Sequence, residues 1–312
     1  MRIEDINKID NNEAIVLLPK EDYDIKEMVL DSFKNVFFLN YNASLEESEI
    51  LTSYINKNHN MLILFDYDDF YRLILPHIHK SNIIKWVYKE PFAMLTGGFP
   101  RAILSNIFEF YDRDIINEIG CLDYASSKVL EKAGYKVSWL ALDQKRYDVE
   151  NNKNLNIGII GDDYNPNHNV YNELSAIKLV EYDTIKIIST MPATKHFIKF
   201  FEIKAKECKT IDEVVSGNDI NLYCNFTAIN KSLILKSMDK GIPCLVGNTD
   251  FFDNSKILKK YLVLNSDDSI DEIKEKILEI RENKDKILKE YQKFRDEYIK
   301  IASESIKKFT NK

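Results

Sequence analysis

Short apolar runs alternate along the whole chain with stretches in which apolar side chains recur every three or four positions. Runs without polar interruption predict strands buried on both faces, and the longer period predicts the helices that cover them. Strands are predicted over 14–18, 36–39, 61–65, 83–88, 118–122 and 137–142, with helices near 23–33, 45–57, 68–79, 101–113 and 124–133. Ser44 and Glu47 form a capping-box signature for the second helix, and Gly134 suits the stop of the fifth. A polar stretch, 143–154, rich in Asn, Lys, Asp and Glu and without an apolar period, is the best linker.

Beyond it the alternation restarts: strand 157–160, helix 169–181, strand 185–189, helix 195–207, strand 222–226, helix 231–240, and strands 244–246 and 262–264. The tail, 269–310, is helical throughout. Ile273, Ile277, Ile280, Ile287, Tyr291, Phe294, Tyr298 and Ile301 give it one apolar face, expected to pack on this chain's own domains, with a coiled-coil partner as the alternative. The pattern predicts an α/β protein of two Rossmann-like domains with parallel sheets and a cleft between them. The expected bounds are 1–145, 155–270, and C-terminal helices over 271–312 that pack back on the domains. No internal repeat is visible.

Composition narrows the function classes. Of 312 residues, 45% are hydrophobic, enough for ordinary cores and against global disorder. The 43 basic and 50 acidic residues are mixed along the chain with a net charge of −7, which argues against a nucleic-acid partner. The pairs Lys204/Lys206 and Lys259/Lys260 read as solvated surface. Met1-Arg2-Ile3-Glu4-Asp5 has no apolar core, so no signal peptide is expected. No apolar run approaches the roughly 18 residues of a membrane span, so no transmembrane segment is expected. Cys121, Cys208, Cys224 and Cys244 are scattered with no CxxC pair; Cys121, Cys224 and Cys244 sit in or beside strand-like runs and read as reduced core or near-core thiols. The compartment reads as cytoplasm, with a peripheral place at the inner membrane face left open. The sequons Asn42-Ala43-Ser44 and Asn225-Phe226-Thr227 mean nothing without secretion.

The richest stretch is 225–248. It reads as strand end, loop, helix, turn and strand, the arrangement in which α/β proteins bind phosphate-bearing ligands. The pieces are Asn225-Phe226-Thr227 at the strand end, Ser237 in the helix, Gly241-Ile242-Pro243-Cys244 at its stop, then Gly247-Asn248 and Phe252. A weaker piece is Asn169, Tyr171, Asn172, Leu174 and Ala176 at the first helix of the second half. Together they resemble a bacterial GT-B glycosyltransferase of the retaining, "group 1" type, well over 155–280 and in architecture only before that.

The resemblance implies a nucleotide-diphosphate sugar as substrate, no cofactor and no metal, with main-chain amides and a helix N-terminus holding the diphosphate. It implies donor contacts from Gly161, Thr227, Ala228, Lys231, Ser232, Lys236, Gly247 and Asn248. The acceptor would be a glycan, a lipid-linked group or a protein. Relatives carry two glutamates eight residues apart at the positions of Ala228 and Lys236, so both are replaced here. A lysine cannot accept a ribose hydroxyl's hydrogen bond, which would cost about 1–3 kcal/mol, although Lys231 and Lys236 bring charge that suits a diphosphate. Asp162 and Asp163 follow Gly161 where a basic clamp is usual, with His168 the nearest base. Three readings stay open: an active enzyme with a diverged donor site, a catalytically silent GT-B subunit supporting a partner glycosyltransferase, and a crossover unit of some other α/β protein. No catalytic residue is named.

Other signals are weaker. Asp66-Tyr67-Asp68-Asp69 after a strand could hold a metal as in GT-A enzymes, or cap the next helix. His77 and His79 read as a helix C-terminus rather than a metal pair. Gly97-Gly98 and Arg101 are the acceptor-side candidates, a special turn being the equal alternative for the glycines. There is no GxGxxG, Walker A, GxSxG or HExxH, so dehydrogenase, NTPase, serine hydrolase and zincin readings lack support.

Overall fold

The computed structural model describes residues 6, 13–19, 25–39, 44–58, 61–150, 153–161, 163, 165–188, 191–226 and 230–311. These form two compact units, Met1–Lys145 with Tyr298–Lys312, and Arg146–Glu297.

The first unit holds strands β1 (Ile15–Leu18), β2 (Asn35–Phe38), β3 (Leu62–Phe65), β4 (Ile84–Tyr88), β5 (Glu118–Cys121) and β6 (Val137–Trp139). All pair in parallel in the order β2-β1-β3-β4-β5-β6. Every residue of β1 and β3 is buried, as a sheet covered on both faces demands. The helices are α1 (Lys26–Ser32), α2 (Leu45–Asn58), α3 (Asp69–Ile74), α4 (Gly98–Asp112) and α5 (Tyr124–Lys132). The capping box at α2 is reciprocal: Ser44 N donates to Glu47 Oε2 at 2.7 Å, and Glu47 N to Ser44 Oγ at 3.2 Å. The predicted helix 68–79 is cut short after Ile74, where Pro76 supplies no N–H and a 3-10 turn, Leu75–His77, follows. Gly134 ends α5 with φ of 95°, a conformation that suits glycine.

The second unit holds β7 (Ile157–Ile159), β8 (Ile185–Ile187), β9 (Ala205–Glu207), β10 (Ile220–Tyr223) and β11 (Cys244–Val246). They pair in parallel in the order β11-β10-β7-β8-β9. Its helices are α6 (Val170–Ile177), α7 (Pro192–Phe200), α8 (Ile211–Val215), α9 (Lys231–Asp239), α10 (Lys256–Leu262), α11 (Ile270–Glu282) and the start of α12 (Lys284–Thr310). Three expectations change. Helix 195–207 stops at Phe200, Glu202 takes φ of 51°, and the chain continues as the edge strand β9, whose residues are all exposed and so gave no apolar signal. The segment 262–264 is no strand: Leu262 ends α10 and Val263 makes one isolated bridge to Val246. The short helices α8 and α10 were not anticipated.

The polar segment 143–150 has no helix or strand, yet its end is fastened to the second unit. Glu150 accepts Gly217 N at 2.6 Å and Lys240 Nζ at 2.8 Å, while the Tyr147 ring lies beneath the ammonium groups of Lys236 and Lys240.

Helix α12 serves both units. Within the second, Asp239 Oδ1 of α9 accepts from Tyr291 Oη at 2.7 Å and from Nε of the buried Arg295 at 3.1 Å. Within the first, Tyr298 Oη donates to Leu142 O at 2.8 Å, and the Phe309 ring packs where a Cβ on Gly120 would sit 3.0 Å away. The Lys85 ammonium, paired with Glu118 at 2.9 Å, donates to the Phe309 carbonyl and so places a cation on the helix C-terminus. The amphipathic tail therefore buries its face against its own chain.

Candidate functional site

In an open parallel sheet, ligands bind beyond the carboxyl ends of the strands where the strand order reverses. In the second unit that point lies between β7 and β10, the two strands from which the chain departs in opposite directions. Three segments meet there. The loop after β7 runs from Gly161 through a 3-10 turn, Pro166–His168, to Asn169, which takes φ of 55° before α6 begins. The loop after β10 is tied to it by Phe226 N donating to Asn167 O at 2.9 Å. The turn after β11 closes on the second loop: Gly247 N donates to Tyr223 O at 3.2 Å, and a Cβ on Gly247 would sit 2.1 Å from the Asn225 carbonyl oxygen. No side chain fits there, so this glycine is required by backbone contact.

Side chains lock these segments. Asn230 caps α9, its Oδ1 accepting Ser232 N at 2.9 Å, while its own N–H donates to Tyr223 Oη at 3.0 Å. Glu173, in the first turn of α6 and fully buried, accepts Cys224 N at 2.8 Å. Burial pushes its carboxyl up to about 7, and its second oxygen makes no hydrogen bond, the Cys224 thiol being its polar neighbour. Asp267, also pushed up by burial, accepts Asn248 N at 2.7 Å, and its backbone carbonyl accepts Asn169 Nδ2.

Of the donor residues expected from sequence, the structure brings Gly161, Lys231, Ser232, Gly247 and Asn248 to these three segments. Thr227 and Ala228 lie outside the described residues. A Cβ on Gly161 would meet the His168 side chain at 3.1 Å, so the glycine makes room for the imidazole. The Lys231 ammonium stands 5.8 Å over the Phe251 ring. The Asn248 amide is already taken by Asp267. Lys236 is 7% exposed, with its ammonium on Asp212 of α8 and over the Tyr147 ring. Asp163 turns one carboxylate oxygen to Met191 N at 3.2 Å.

In the first unit the acidic triplet takes its structural alternative: Asp68 caps α3 by accepting Phe70 N at 2.9 Å, and Asp69 accepts Tyr67 Oη at 2.7 Å. Asp66 holds φ of 53° with its carboxylate 3.7 Å from the Lys89 ammonium. Gly97 precedes α4 with an extended backbone, a Cβ on Gly98 would meet nothing within 4 Å, and Arg101 is exposed in the first turn. Gly98 has room for a side chain, whereas a Cβ on Gly97 would sit 3.3 Å from the Met94 carbonyl oxygen and 3.3 Å from Pro100 Cδ; neither glycine takes a positive φ. Among the described residues no group of three or more His, Cys, Asp or Glu side chains could hold a metal ion, and the four cysteines are buried and free.

Sequence reasoning passed over Glu173, Tyr223 and Asp267. Glu173 sat inside the recognised Asn169–Ala176 stretch as an unassigned position. Its only signal was a charge on the apolar face of a predicted helix.

No protein-family model matches the sequence, and no curated protein matches it. Solved structures do. HepE from Anabaena in complex with UDP superposes with a TM-score of 0.64 at 10% identity, covering 95% of this chain and 99% of that one. The lipopolysaccharide outer core galactosyltransferase WaaB, in its apo form, gives 0.57 at 11% identity over 95% and 99%. TarM gives 0.58 at 14% identity over 85% of this chain, which spans 56% of TarM's length. No helix of the described residues is long and apolar enough to cross a membrane. The chain is thus an α/β protein with two parallel sheets whose fold matches that of GT-B glycosyltransferases.

Proposed function

We infer that this chain is a glycosyltransferase that moves a sugar from a nucleotide-diphosphate sugar to a glycan, lipid-linked or protein acceptor. The observation that carries the reading is the convergence of three loops at the second unit's strand-order reversal, with Gly247 pressed on the Asn225 carbonyl. Loops gathered in this way beyond the carboxyl ends of a parallel sheet, beside the N-terminus of α9, form the place where α/β proteins bind phosphate-bearing ligands. The UDP in the similar HepE structure makes uridine the favoured nucleoside. In the transfer, the acceptor oxygen bonds to the anomeric carbon as the bond to the diphosphate breaks, and the acceptor proton leaves to solvent or base. The departing diphosphate is stabilised by amides of the site and by Lys231, with retention of the anomeric configuration and without a metal. Gly97, Gly98 and Arg101 are carried as acceptor-side contacts on their position at the start of α4.

The second reading, a silent subunit that supports a partner glycosyltransferase, is favoured by Lys236. Where the sequence resemblance implies a ribose-binding carboxylate, this chain has an ammonium paired with Asp212. A thermal-shift series with UDP, GDP, CDP and their sugars tests both. A rise in melting temperature with UDP or a UDP-sugar supports a donor site, and no rise with any nucleotide overturns it. Binding with neither transfer nor slow donor hydrolysis selects the silent subunit.

A further inference from the structure

The edge of the second unit formed by α7 and β9 carries a continuous ladder of five rings. Tyr171 packs on Phe197 with centroids 5.4 Å apart, Phe197 on Phe201 at 4.5 Å, Phe201 on Phe200 at 5.1 Å, and Phe200 on His196 at 6.3 Å. Phe200 is 71% exposed and Phe201 42%. In α7 only Thr194 is buried, so most of the helix faces outward. Lysines accompany the rings. Residues 195–209 hold Lys195, Lys199, Lys204, Lys206 and Lys209 against Glu202 and Glu207, a local net of +3 in a chain of net −7. Lys195 pairs with Glu207 at 3.0 Å, while among the described residues the other four ammonium groups have no acidic partner.

Charge on an edge strand ordinarily keeps it from pairing with another sheet. Exposed phenylalanines beside that edge work against such a use, because they add an adhesive apolar surface. Rings ringed by unpaired lysines suit a different surface. We propose that this edge docks on an anionic lipid bilayer, the phenylalanines entering the headgroup boundary and the lysines meeting lipid phosphates. A second copy of the chain is a poor occupant, since a self-complementary contact would bring two segments of like charge together. Geometry is also compatible with a working site. Helix α7 runs back from the carboxyl end of β8 to the start of β9, so the turn at 200–204 lies at the amino end of the sheet. The loop residues 160–161, 165–169, 224–226 and 247–251 follow the carboxyl ends of their strands, at the opposite end of the sheet from that turn.

The proposal does not depend on the donor reading and is tested without nucleotide. The full chain is sedimented with phosphatidylcholine vesicles and with vesicles in which a third of the lipid is phosphatidylglycerol. Binding is expected to the anionic vesicles only, weakened at least about tenfold in about 0.5 M salt. The pair Phe200→Ser/Phe201→Ser and the pair Lys199→Glu/Lys204→Glu should each weaken it at least about tenfold with melting temperature unchanged, since all four side chains are exposed. Equal binding to both vesicle types, no binding to either, or anionic-vesicle binding untouched by both variants overturns the proposal. A wild-type assembly seen by light scattering that falls to monomer in the phenylalanine variant does so too, and marks a protein interface instead. If the phenylalanine variant melts early, the lysine variant decides.

Discussion

The buried carboxylate of Glu173 accepts the backbone N–H of Cys224 at 2.8 Å, joining the first turn of α6 to the end of the strand that feeds the candidate donor loop. Because Cys224 immediately precedes Asn225, on which Gly247 rests, this hydrogen bond, together with Phe226 N to Asn167 O at 2.9 Å, fixes two of the three loops against each other.

Glu173 makes stability depend on pH. Its folded-state value is about 7, above the unfolded 4.5, so the folded state holds the proton more tightly. Stability is therefore highest below the unfolded value and falls as pH rises from about 5 to about 7, by up to roughly 3 kcal/mol in all. Glu173→Gln keeps an oxygen for Cys224 N and removes the titration. Urea unfolding at about pH 5 and pH 8 should show the variant losing much less stability than the wild type over that interval.

Gly247→Ala should destabilise the second unit by about 3 kcal/mol or more, because the added Cβ meets a backbone oxygen that cannot turn aside. Chemical denaturation checks it. Loss of nucleotide binding in this variant would therefore report misfolding, and Lys231→Ala, at a partly exposed side chain, is the cleaner probe of donor affinity.

Lys236→Met should cost only about 1 kcal/mol, since Asp212 is 63% exposed and solvent screens the pair. Nucleotide affinity by calorimetry should stay within about twofold of wild type, a difference of about 0.4 kcal/mol. A tenfold loss would put the ammonium at the donor instead of on Asp212.

The segment 143–150 should resist proteolysis in the native chain although its sequence reads as a linker. Glu150→Ala removes the acceptor of Gly217 N and Lys240 Nζ, and should raise the rate of cleavage there several-fold without changing the melting temperature of the core. Timed digestion followed by mass spectrometry gives the comparison.

Helix caps and buried parallel strands were legible from residues alone because they are local. Ser44 with Glu47, Gly134 and Gly241, and the unbroken apolar runs of β1, β3 and β11 each specify their element through neighbours a few positions away. Edge strand β9 was not legible, because Ala205–Glu207 is exposed and its only structural requirement is backbone pairing to β8. The candidate site divides the same way. Its location after β10 and its glycines follow from the order of strand, loop and helix, which the sequence carries by itself. The partners within it depend on contacts between residues far apart in the chain: Asp212 for Lys236, Asp267 for Asn248, Cys224 for Glu173. A charge in a sequence announces only that it needs a partner. Which partner it has, and whether a carboxyl is buried enough to hold its proton near neutrality, is decided by tertiary packing, because desolvation and hydrogen bonding act across space.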